Sequence, residues 1–455
     1  MQQFSILDYG AVPNTELVQS EALQKAIDAC FLAGGGEVTV PAGKYVIGDI
    51  RLRSNVTLHL LENAVLLGSR ELSDYNHIFS DRLEPLPETE VTHAKWKKET
   101  AGEERKNFKS FLYTVGSDWN RGIIRAAYAE NIAIIGERGS VIDGRNVYDP
   151  TGESNFRGPH AISMQYCKNL TFSGYTLTRS SNWGHWVYKS ENVRFSDLEV
   201  LAGHDAVHPR VCKNVVIERC KLITGDDAVA GFNNINVRVS DCEISSACSA
   251  FRFGGADILV ENCYAYGPCP FQFRGKFSDE EKAAGADESA TARRNMLSFF
   301  TAFVTDEFPI EKKSGNIVIR NCRVVGADRL LHLNLSGNEV WQSGAPPTDI
   351  TFRDVTVEGL ETGLYAYGVE GEPMELRLEN VSLSFREGCE KEPLMKAAHF
   401  DRIGLSNVDV KNFEGEALIL CWSDGGTVET EALRPALKAD RLRARAEAPF
   451  ECKRI

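Results

Sequence analysis

The sequence predicts an all-β fold, a parallel β-solenoid, and two observations carry that reading. A nine-residue pattern returns along the chain, and each copy alternates apolar and polar residues as a strand does, with no helical stretch between copies. The copies read NLTFSGYTL (169–177), NVRFSDLEV (192–200), NVVIERCKL (214–222), NVRVSDCEI (236–244) and DILVENCYA (257–265). They continue as NIVIRNCRV (316–324), DITFRDVTV (349–357) and ELRLENVSL (375–383). The first five start 23, 22, 22 and 21 residues apart. A coil of about 22 residues is too short to bury its own apolar face, so coils stack and the core runs through the stack. A β-sandwich also repeats strands every 8–12 residues, but nothing in it keeps period and residue type together. Cys220, Cys242, Cys263 and Cys322 fall in one column of the repeat. They read as an interior ladder of small side chains.

The first coil needs a cover. SEALQKAIDACFLAGGG (20–36) places Ala22, Leu23, Ala26, Ile27 and Cys30 on one helical face and stops at glycines, so a capping helix is expected over 20–34. Two stretches break the period, 77–121 and 277–313, and each reads as a loop insertion bordering a cleft. No linker divides the chain, so 1–455 is expected to form a single domain. With 43% hydrophobic and 25% charged residues, the composition is that of a soluble globular protein. Nothing approaches the ~18 apolar residues of a membrane span. A net charge of −13 argues against non-specific nucleic-acid binding. The twelve cysteines include no CxxC pair, and MQQFSILDYGAV lacks a basic segment followed by an apolar one. Reduced thiols in a cytoplasmic protein are therefore expected, although a removed signal would leave the same sequence.

The register places the chemistry. Asp205 lies 13 positions after Asn192 and Asp227 lies 13 after Asn214, so the two share a column on neighbouring coils. His204, Asp226 and Cys248 fill the column at offset 12, and His185, His208 and Arg252 the one at offset 16. FQFRGKF adds Arg274 and Lys276 on one side of a strand. An Asp-Asp pair by itself reads as a solvated turn. Stacked with a third carboxylate and flanked by cations, it reads as an acid and a base, because carboxylates this close do not all ionise near neutral pH. Such a division of labour is what cleaving a glycosidic bond requires. Trp183 and Trp186 suit a sugar platform or inter-coil packing, and Arg252 suits a carboxylate partner or a solvated surface. The strand spacing of His204 and His208, ~13 Å, is too long for one metal ion, and no cofactor is expected. Tyr365 and Tyr367 share a strand face and read as packing.

With these motifs placed, the chain resembles the polygalacturonase-type family of glycoside hydrolases. The resemblance begins near LDYGAV (7–12), covers NVTLHLLENAVLLGS (55–69) and AENIAIIGERGSVIDG (129–144), and runs to about residue 276. GHDAVHPRVCKNVVIERCKLITGDDAVAG (203–231) matches the family's Asn-Thr-Asp and Asp-Asp motifs in order and spacing. The resemblance implies a right-handed parallel β-helix and an inverting mechanism. It implies Asp226 as the general acid, Asp205 and Asp227 activating water, and Arg274 and Lys276 holding a uronate carboxylate. Three positions depart from the pattern. Gly203-His204 replaces Asn-Thr, His208 stands where a further acid is usual, and Cys248 stands at the histidine of Gly-His-Gly. His204, His208, Cys248, Arg252 and Trp183 join Arg274 and Lys276 as expected sugar contacts.

The function expected is hydrolysis of an oligosaccharide derived from galacturonan or rhamnogalacturonan. A β-helix lyase or transferase and a non-catalytic carbohydrate-binding β-helix stay open beside it. One-coil spacing of the acids leans by itself toward retention, the family toward inversion.

Overall fold

A computed structural model of the chain describes residues 2–75, 121–150, 152, 156–273, 293–304, 310–334, 346–415, 418–421, 425–435, 442–444 and 451–454. The fold is a right-handed parallel β-helix. By contact it divides into two compact units, residues 1–208 with 274–292, and 209–273 with 293–455. Among the described residues no helix is long and apolar enough to cross a membrane.

In the first unit each full coil carries three strands. His160–Gln165, Lys168–Ser173 and Thr176–Thr178 make one coil, and His185–Tyr188, Glu191–Ser196 and Glu199–Leu201 belong to the next. Alternation decides what points inward. In Lys168–Ser173, Leu170 pairs with Ile132 and Val193, and Phe172 with Ile134 and Phe195. The Phe172 and Phe195 rings stack with centroids 4.9 Å apart. The asparagine that starts a repeat has two tasks. Asn131, Asn169 and Asn192 all adopt φ of 57°, the left-handed conformation that asparagine tolerates and that turns the chain into the next strand. Their side-chain amides also bond one another along the stack, Asn192 to Asn169 at 2.9 Å and Asn169 to Asn131 at 2.8 Å.

The expected capping helix runs over Ser20–Leu32 and buries Leu23, Ala26, Ile27 and Cys30, with Ala22 half-buried at the edge. It packs on Gln3–Ser5, Gly36–Val40 and Ile50–Arg51. Its stop is built from glycine. Gly34 and Gly35 have φ of 95° and 110°, and the Gly35 amide donates to the Cys30 carbonyl at 2.9 Å. A Cβ on Gly35 would meet the Asn55 carbonyl oxygen at 2.5 Å, so no other residue fits there.

The second unit repeats the plan with longer strands. Val215 pairs with Val237 and Val237 with Ile258, and further along Ile317 pairs with Ile350 and Ile350 with Leu376. Cys220, Cys242, Cys263 and Cys322 are buried free thiols that repeat one geometry. Each donates to the carbonyl two residues before it, at 3.2–3.3 Å. Of the two stretches read as insertions, 77–120 and 277–292 lie outside the described residues. Within 277–313 the chain forms a strand, Ser298–Ala302, in register with Ser249–Glu261 through Phe251–Phe300 and Arg252–Thr301. That stretch lacks the polar start and the alternation of the other copies, SFFTA being apolar on both faces, which hid it from the pattern.

Candidate active site

In the second unit the acid pair sits in the turn between Lys221–Thr224 and Val229–Ser240. The Ala228 amide donates to the Ser249 carbonyl at 3.0 Å, which sets Asp227 level with Ser249 and Asp226 level with Cys248. Two hydroxyls pin the turn through the Asp226 carbonyl, Ser246 at 2.5 Å and Thr224 at 2.9 Å. Neither acid is solvated as an ordinary turn residue would be, Asp226 being 7% and Asp227 2% exposed.

The two carboxyls differ in their surroundings. Asp226 accepts the Asp227 amide at 3.1 Å. Asp227 accepts the Ser249 amide at 2.9 Å and faces the Arg252 guanidinium at 3.7 Å. Carboxylate oxygens of both acids and the Cys248 sulfur lie within 4.8 Å of one another. Burial, then the charge of Asp226 alongside, pushes the Asp227 carboxyl up to about 6, while Arg252, the Ser249 amide and the Cys248 thiol pull the other way. The Cys248 thiol is raised well above its ordinary value by burial and by the two acids. It is therefore a neutral donor to Asp227 at physiological pH.

Arg252 is not a solvated surface residue. It is 8% exposed and lies over the Phe303 ring at 4.0 Å, held toward Asp227. A second cation was missed by sequence reasoning. Arg293 lies over the Phe273 ring at 4.5 Å and its Nη2 donates to the Cys248 sulfur at 3.4 Å. It stands in the charged stretch read as a loop, where only the return of the chain to the stack reveals its place. Arg274 and Lys276 lie outside the described residues. The strand that follows Ser249–Glu261 along this face, Ser298–Ala302, carries no cation.

In the first unit Asp205 and His208 form a buried pair, His208 Nδ1 to Asp205 Oδ2 at 2.7 Å, with exposures of 3% and 0%. The His208 ring lies on Trp183 with centroids 4.1 Å apart, and His204 is buried beside Phe156 at 5.8 Å. Trp183 is 1% exposed, enclosed by His208 and by His160 at 4.9 Å. His185 does not share the His208 column as the offset count expected. Its amide donates to the Ala206 carbonyl at 3.0 Å, level with Val207. The turn between Leu201 and Val207 is one residue shorter than that between Thr178 and His185, and counting across it slips by one. His185 instead packs inward between Phe172 and Phe195 and bonds Tyr175 at 2.8 Å. Burial lowers it to about 4, so it is a neutral core histidine.

On a parallel β-helix, two adjacent buried carboxyls with an arginine facing one of them make a candidate acid/base pair. Comparison with known proteins narrows it. Residues 103–247 match the model of glycosyl hydrolases family 28. A "Probable polygalacturonase" of Vitis vinifera is 29% identical over 50% of this chain and 43% of its own length. An "Exo-poly-alpha-D-galacturonosidase" of Dickeya chrysanthemi is 44% identical over 16% of this chain and 12% of its own length. This chain thus spans less than half of either relative. Among solved structures, the family 28 exopolygalacturonase of Yersinia enterocolitica shares the fold with a TM-score of 0.64 at 17% identity, over 95% of this chain and 79% of that one. The family match covers residues 103–247, under a third of the chain, and the likeness to the solved structure is one of fold.

Proposed function

We propose that this chain hydrolyses a glycosidic bond in an oligosaccharide containing galacturonic acid. The observation that carries the reading is the acid pair, two adjacent buried carboxyls of which one keeps its proton up to about 6. A pair that holds one proton and one charge presents a general acid and a general base together. The Ser249 amide, the Cys248 thiol and Arg252 all favour charge on Asp227. Asp226 is the more exposed of the two, and by the family resemblance it delivers to the leaving oxygen the proton that the coupled pair shares. Asp227 receives a proton from the attacking water. Asp205 joins it in that role on the strength of the repeat register and of the family resemblance. Arg252, Arg293, Arg274 and Lys276 supply positive charge for a uronate carboxylate. His204, His208 and Trp183 line the sugar beside Asp205.

The names of the relatives support galacturonan as the substrate class, and one of them supports action at chain ends. Incubation with galacturonan oligosaccharides, followed by product separation, tests the reading. New reducing ends without unsaturated sugars are expected, and unsaturated products would replace hydrolysis by elimination.

A further inference from the structure

The Cys248 thiol stands between Asp227 and Arg293. On one side its sulfur lies within 4.8 Å of carboxylate oxygens of Asp226 and Asp227. On the other it accepts Arg293 Nη2 at 3.4 Å. The main chain fixes both ends. The Cys248 amide donates to the Ser246 hydroxyl at 2.8 Å, and that hydroxyl donates to the Asp226 carbonyl at 2.5 Å, so the thiol and the acid turn share one anchor. Where the chain returns to the stack, the Phe273 amide donates to the Arg293 carbonyl at 2.9 Å and the guanidinium lies over the Phe273 ring at 4.5 Å. Asp227 itself is faced by Asp226 from its own turn, by Cys248 and the Ser249 amide from the next coil, and by Arg252 at 3.7 Å.

A thiol donates one proton while its sulfur accepts from another donor. A guanidinium bonded to the sulfur draws electron density from the S–H bond, and a donor polarised in this way holds the charge of a carboxylate more firmly. The proton stays on sulfur throughout, because burial and the two acids keep the thiol neutral at the pH where Asp227 ionises. A protonated histidine, the residue type of the Gly-His-Gly motif at this position, offers an N–H donor and a positive charge in one ring. Here the two are divided, the donor on Cys248 and the charge on Arg293. We infer that Arg293 is a positioning residue for the water-activating carboxyl, acting through the Cys248 thiol, which passes the pull of the guanidinium to Asp227. This rests on the proposed function for the reaction it serves and adds what sets the pH range of that reaction.

The test reads Asp227 both in the free protein and in turnover. A ¹³C carboxyl titration follows Asp227 without substrate, its resonance identified by its loss in Asp227→Asn. The acidic limb of kcat/KM against pH on a galacturonan oligosaccharide reports the same group. Cys248→Ala is expected to raise both midpoints by about one pH unit, and Arg293→Met by about half as much. Cys248→Ser keeps a donor for Asp227 and an acceptor for Arg293, so it is expected to return both midpoints to near the wild-type values. Arg293→Met must add nothing once Cys248 is alanine, because the guanidinium then has no sulfur to act through. Midpoints that stay in place while only stability changes, as for two residues that merely pack, overturn the inference. So does an Arg293→Met shift of equal size with and without the thiol, which makes the guanidinium act on Asp227 directly. Midpoints that move as expected in the carboxyl titration, with no turnover by the wild type, leave the relay standing and sink the proposed function. Turnover with unmoved midpoints does the reverse.

Discussion

Asp227→Asn tests the acid pair through stability alone, before any substrate is chosen. The Asp227 carboxyl is pushed from an ordinary 3.8 to about 6, by burial first and by Asp226 second. A carboxyl raised in the folded state binds its proton there at a pH where the unfolded chain has already released it. Folding stability therefore falls as pH rises from about 4 to about 6 and stays lower above that range. A rise of that size corresponds to about 3 kcal/mol at neutral pH. Asparagine removes the titration, so the variant is expected to gain up to about 3 kcal/mol over wild type at pH 7.5. At pH 4 the carboxyl is protonated in the folded state and still close to half protonated in the unfolded one, so most of the gain vanishes. The new amide faces Arg252 with donors, which lowers the gain at both pH values without changing the difference between them. Urea unfolding of both proteins at pH 4 and 7.5 reads that difference directly. A variant equally destabilised at both values, or a wild type whose stability rises from pH 4 to 6 through this residue, refutes the strained pair.

Further consequences follow from the same geometry. Asp226→Asn removes the proton donor, and kcat on a galacturonan oligosaccharide is expected to fall by about 10²–10⁴-fold with binding retained; a loss under tenfold argues against its role. Arg293→Ala removes the cation beside Cys248 and is expected to raise KM for an acidic oligosaccharide at least tenfold while kcat changes little, which initial-rate kinetics separates. Arg252→Met leaves the Asp227 charge without its nearest cation, so the acidic limb of the pH–rate profile, which reports the base, is expected to move upward by one pH unit or more. Phe195→Ala opens the stacked core of the first unit and is expected to cost about 3–5 kcal/mol in chemical unfolding.

The repeat was legible because its cause is local. The coils share an alternating strand, and many share a left-handed asparagine corner, so apolar pairs such as Leu170–Val193 and asparagines such as Asn169 and Asn192 recur at the coil period. The cysteine column was legible for the same reason. Ser298–Ala302 was not, since its surroundings allow apolar residues on both faces and the polar marker is missing. In the site, the level of Cys248 with Asp226 came directly from the register. His185 was misplaced because a turn changed length by one residue, and side-chain direction on a strand reverses with every residue. Arg293 had no signal in the sequence: its position depends on where an irregular stretch rejoins the stack. The burial of Asp227 and the turn of Arg252 toward it are properties of packing, visible only in three dimensions.

The central claim is that the acid pair cleaves a glycosidic bond by hydrolysis. Its most direct measurement is product analysis after incubating wild type and Asp226→Asn with a panel of galacturonan oligosaccharides, in water enriched in ¹⁸O. Saturated products carrying one ¹⁸O at the new reducing end, formed by the wild type and lost in the variant, are expected. Unsaturated products, or equal products from both proteins, would contradict it.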